Sequence, residues 1–145
     1  MKIKYIYSFL VILCILTSFL FISGCTDEES NEEPDEVTIK FPEEKKEELV
    51  EILKTHYEVK DARVIFVPKT KSLMVDYYVD NIPAETDLYD DIVGIIIISK
   101  SIATESGITN PNVVVGALSL DETLLGQGYY YSSTDETNVD IFLQT

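Results

Sequence analysis

The stretch ETDLYDDIVGIIIISKSIATES, residues 85–106, decides the fold. Its four consecutive isoleucines, residues 95–98, favour a strand by propensity. The wider spacing favours a helix: Leu88, Ile92, Ile95, Ile96, Ser99, Ile102 and Ala103 recur at three- and four-residue intervals. No turn signal interrupts the run, and Gly107 stands where a left-handed cap commonly ends a helix. The period predicts a helix over 85–106. Because it is apolar over more than one stripe, it should be the most buried element.

Working outward, residues 63–67 and 72–79 read as two strands joined at Pro68-Lys69-Thr70-Lys71. In the second, Leu73, Val75, Tyr77 and Val79 alternate with Met74, Asp76, Tyr78 and Asp80, so one face is buried and the other wet. Before them, Phe41-Pro42 and then EEKKEELVEILKTHY read as a helix with acids near its start. Leu49, Ile52, Leu53 and His56 share one face of it. After the central helix, 113–120 and 124–132 form a second hairpin across Asp121-Glu122-Thr123. Ser133-Thr134-Asp135-Glu136 fits a capping box before Val139, Phe142 and Leu143, which predicts a short terminal helix. The expected fold is α+β: a mainly antiparallel four-stranded sheet in a tandem αββ order, helices packed on one face, and a short C-terminal helix. The two halves share no residue-level repeat.

The charge is lopsided. Of 145 residues, 46% are hydrophobic, a globular composition, yet the net charge is −15. Positions 27–36 hold seven acids and no base. A surface this acidic repels nucleic-acid phosphates, so no nucleic-acid partner is expected.

Residues 1–25 read MKIKYIYSFLVILCILTSFLFISGC. Lys2 and Lys4 precede an uncharged apolar run from 5 to 22, then small residues, the order of a secretory signal. The end of the run, Ile22-Ser23-Gly24-Cys25, resembles the lipobox of prokaryotic lipoproteins, and the Ser-Gly-Cys-Thr-Asp start combined with the acidity has an archaeal character. The resemblance implies cleavage after Gly24 and a lipid on Cys25, with the chain held at the cell membrane on its extracytoplasmic side. An uncleaved transmembrane helix is the alternative, since eighteen apolar residues span roughly 27 Å; it gives the same orientation. Without residues 1–25, nine bases face 26 acids, a net charge of −17. Cys14 leaves with the leader and Cys25 is acylated, so no thiol remains to crosslink the domain. Three parts follow: a leader over 1–24, a lipidated and acidic tether over 25–36, and a small domain over 37–145. The tether, TDEESNEEPDE after the cysteine, has nothing to bury and should be an extended spacer.

Chemistry is sparse. His56 is the only histidine, no nucleophile stands near it at a motif spacing, and a lone histidine beside an apolar helix stripe is usually packing. Ser99 and Ser101 lack a nucleophile-elbow pattern. No Cys/His cluster suits zinc. Asp80, Glu85, Asp87, Asp90 and Asp91 make an oxygen-rich loop, but without the glycine-containing pattern of an EF-hand, and acids at a helix N-terminus already serve its dipole. Gly126 and Gly128 sit within a strand and outside any phosphate-binding pattern; they mark a twist or a close approach of another backbone. No catalytic residue, metal or cofactor is assigned. By alternation, Tyr129 and Tyr131 share one strand face, and Met74 and Tyr78 share one on the other hairpin. Tyrosine joins apolar area to a polar tip, so these four residues are the candidate binding face. The expectation is a non-enzymatic, lipid-anchored binding or accessory module with a protein partner at the cell surface. The rival is an enzyme or divalent-cation-dependent protein using residues 80–91.

Overall fold

The computed structural model describes residues 39–57 and 59–143; the leader, Cys25 and the acidic tether lie outside the described residues. Helix α1 spans Glu43–His56. Pro42 precedes it in an extended conformation, and its carbonyl accepts the N–H groups of Lys45 and Lys46. Glu43 and Glu44 lie at its positive end and Lys54 and His56 at its negative end, as the helix dipole favours. Leu49 and Leu53 are fully buried.

Strands β1 (Asp61–Val67) and β2 (Ser72–Val79) form an antiparallel hairpin around a short 3-10 turn, Pro68–Thr70. Helix α2, Glu85–Glu105, follows. Its buried residues are the seven picked out by the helical spacing, while Ile97, third of the four isoleucines, is exposed. Helical period therefore outweighs strand propensity here, because it aligns one stripe with the sheet. Gly107, at φ 85°, turns the chain beyond the helix, and the Ile108 N–H donates back to the Ala103 carbonyl.

Strands β3 (Asn112–Ser119), β4 (Leu124–Tyr131) and β5 (Glu136–Ile141) complete a five-stranded sheet in the order β1-β2-β3-β4-β5. Three pairings are antiparallel, but β2 and β3 run parallel, joined through α2. The sheet is therefore mixed and has five strands where four were expected. Both helices pack on one face, where Leu73, Val75, Tyr77, Val113, Val115 and Ala117 meet Leu49, Leu53, Ile92, Ile95 and Ile96.

The expected C-terminal helix is a strand. Asp135, at φ 55°, sits in the turn between β4 and β5 instead of inside a cap. Its carboxylate accepts the Tyr130 hydroxyl at 2.7 Å and Lys100 Nζ at 3.3 Å, which fastens the turn to β4 and α2. Beyond the turn, Val139 and Ile141 pack inward while Asn138 and Asp140 point outward, a period of two.

Gly126 and Gly128 lie against α2. A Cβ on Gly128 would sit 2.3 Å from Ile92 Cγ2 and 2.8 Å from Ile96 Cδ1. What comes closest to these glycines is isoleucine side chains and not, as expected, another backbone.

Two buried hydroxyls, Tyr77 Oη and Ser99 Oγ, have no hydrogen-bond partner among the described residues. Ser99 stands on the inner stripe of α2, where its hydroxyl is desolvated without compensation. Ser99→Ala should therefore raise stability by about 1 kcal/mol, since alanine also has the higher helix propensity. Chemical denaturation would read this as a higher midpoint at unchanged slope.

Candidate binding face

The face of the sheet opposite the helices carries no covering element among the described residues. Register sets its side chains in rows across the strands. One row runs Ile65, Met74, Val114, Tyr129, Asn138, taking one residue from each of β1 to β5. Met74 and Tyr129 are thus separated by β3 alone, roughly 10 Å apart at two strand spacings. A second row runs Asp61, Tyr78, Leu118, Leu124. The shift between Ala117 and Leu118 is a bulge that leaves Leu124 facing outward while Leu125 is buried.

All four residues of the candidate face, Met74, Tyr78, Tyr129 and Tyr131, therefore share one surface. The Tyr129 and Tyr131 rings stack, with centroids 6.2 Å apart and planes 6° from parallel. Burial, then the neighbouring Tyr131 and Asp140, raise the Tyr129 phenol above its ordinary value. Met74 and Tyr131 stay 40% and 46% exposed, and Ile65 matches them at 42%. Tyr78 is set apart from Met74 by a polar row in which Arg63 donates to Asp76 at 2.7 Å. Gly116 makes room for that pair, since a Cβ there would lie 2.9 Å from Asp76 Oδ1. Ile65, Val114, Leu118 and Leu124 belong to the same surface and were not singled out. Their alternation was legible; which strands lie side by side was not.

The acidic loop is organised differently from a cation site. Asp80 pairs with Lys60 at 3.3 Å, and Glu85 and Asp87 occupy the first turn of α2. Among the described residues, no three of His, Cys, Asp and Glu converge to hold a metal ion. A cleft of about 270 Å³ lies between Tyr57, Asp80, Asn81 and Asp91. His56 is exposed at the end of α1 and not packed against the core as expected. Ser101 is exposed and donates to Glu105.

Tyr77 gives the fold a pH signature. Burial, and secondarily Asp91, hold its phenol far above the ordinary value of 10. Below pH 10 the phenol is neutral in folded and unfolded chains alike and contributes no pH dependence. Above pH 10 the unfolded chain ionises while Tyr77 stays protonated, so stability falls as pH rises. Tyr77→Phe should delay alkaline unfolding, read as melting temperature between pH 9 and 11.

No protein-family model matches the chain, and no curated protein does. Among solved structures, a sex pheromone precursor from Lactobacillus salivarius subsp. salivarius is similar, with a TM-score of 0.51 at 12% identity. The match covers 73% of this chain and 32% of that one, so the chain spans about a third of its neighbour's length. The likeness is one of fold. Among the described residues, no helix is long and apolar enough to cross a membrane.

Proposed function

We propose that this chain is a non-enzymatic binding module, tethered by lipid on Cys25 to the extracytoplasmic side of the cell membrane, which docks a protein partner on its open sheet face. The observation that carries the reading is the row Ile65, Met74, Val114, Tyr129, flanked by the stacked Tyr131. Exposed aromatic and methionine side chains on a rigid sheet are the residue types enriched at protein interfaces. The leader supports the location, and the seven acids over 27–36 would disfavour contact with anionic lipid.

The test uses the full chain in detergent. Wild type should crosslink to a discrete partner in solubilised membranes, and Tyr129→Lys with Met74→Lys should lose it. A central tyrosine anchor contributes about 2 kcal/mol, so the paired variant should bind at least about 30-fold more weakly. Its melting temperature should stay close to wild type, because both side chains already touch solvent. Equal capture by wild type and variant would overturn the reading.

A further inference from the structure

A second surface lies at the other end of the sheet. Among the described residues strand β1 is an edge, paired only with β2, so alternate backbone N–H and C=O groups point away from the sheet. Natural edges are guarded by unpaired charge, proline or bulges. The opposite edge, β5, carries Glu136 and Asp140. In β1, DARVIFV, both charges are already neutralised: Asp61 pairs with Lys54 at 2.8 Å and Arg63 with Asp76 at 2.7 Å. The sheet's bulge lies elsewhere, between Ala117 and Leu118.

Beside this edge runs a groove of about 490 Å³ between α1 and β1. Its apolar floor is Val50, Ala62 and Val64, and Glu47 and Glu51 stand over it one helical turn apart. The three bases of the groove are spoken for, Lys46 by Glu43, Lys54 by Asp61 and Arg63 by Asp76. Glu47 and Glu51 make no ion pair among the described residues. The groove thus offers a free strand edge, an apolar floor and two uncompensated carboxylates.

We propose that β1 and the α1 groove bind an extended, basic peptide segment of a partner protein by strand addition. The backbone pairs with β1, and the side chains of every second peptide residue, those on the helix side, meet the groove: apolar ones rest on Val50, Ala62 and Val64, and lysine or arginine answers Glu47 and Glu51. The chain's own tether does not suit the groove, since its seven acids over 27–36 would face these carboxylates. A second copy offers only one acid and one base on its β1, both already paired.

The probe is a fluorescent Lys-Ser-Val-Ser-Lys-Ser-Val peptide, which matches the seven residues of β1 and puts lysine and valine on the same face, titrated into the full chain in detergent. Wild type should bind it and ignore the counterpart with glutamate in place of lysine. Glu47→Gln with Glu51→Gln, two solvent-facing changes, should weaken binding about fivefold at low salt, the effect of two exposed ion pairs. Methylating alternate backbone nitrogens of the peptide should abolish binding by blocking the ladder. Undiminished binding of the methylated peptide would overturn the proposal, as would a β1-mediated dimer that excludes peptide. Binding that survives the glutamine changes but is lost in Tyr129→Lys would move the ligand to the open face and equally overturn it.

Discussion

Gly128→Val is expected to be the most damaging single change in the described domain. Its Cβ would stand 2.3 Å from Ile92 Cγ2, an atom one bond from the helix-anchored Cβ, and 2.8 Å from Ile96 Cδ1. Neither neighbour has room to give: Ile92 is fully buried and Ile96 nearly so. Relief requires α2 to lift off the sheet, which separates the two largest parts of the core. Overpacking of this kind costs about 3 kcal/mol or more, a large part of the roughly 5–15 kcal/mol that holds a domain folded. The melting temperature should fall by about 12 °C or more, by calorimetry. Gly94→Ala is the control. There the Cβ also meets an atom at 2.6 Å, but it is the hydroxyl at the far end of the half-buried Tyr57 ring. The ring can swing, and alanine adds about 1 kcal/mol of helix propensity. Near-wild-type stability is expected for Gly94→Ala; if both substitutions were equally harmful, the tight α2–β4 contact would not be what limits Gly128.

The second large effect concerns the proposed anchor. Cys25→Ser removes the thiol that would carry the lipid and, with it, the processing that depends on acylation. The variant should accumulate with its leader attached, a chain 24 residues longer than the mature form, and should take up no labelled fatty acid. Two acyl chains anchor stably where one is marginal, so the wild type should stay in the membrane fraction through a salt wash. If Cys25→Ser were processed and labelled like wild type, the lipid assignment would be wrong.

How much was legible differs by element. Both helices and the first hairpin were readable because each carries its own period: Leu49, Ile52 and Leu53 on α1, the seven inner positions of α2, and the alternation from Leu73 to Val79. The terminal segment was misread because Val139, Phe142 and Leu143 satisfy a helical spacing as well as Val139 and Ile141 satisfy a strand's. An inward Ile141 and a partner in β4 settle it as strand. Ser133 to Glu136 looked like a cap because the same residue types suit turns; Tyr130, five residues back, and Lys100, thirty-five back, hold Asp135 in the turn instead.

The candidate face was half legible. Alternation placed Tyr129 with Tyr131 and Met74 with Tyr78, since side-chain direction along a strand is a local property. Joining the two pairs needed the parallel match of Met74 to Val114 and the antiparallel match of Val114 to Tyr129. By itself, then, the sequence determined the α+β class, the buried stripe of α2 and which side chains share a strand face, because these depend on residues a few positions apart. Only the tertiary structure decided the fifth strand, the parallel seam between β2 and β3, and the single surface they create. The seam joins residues forty positions apart and the fifth strand is decided by its partner β4, and neither pairing is written in the period of the segment itself.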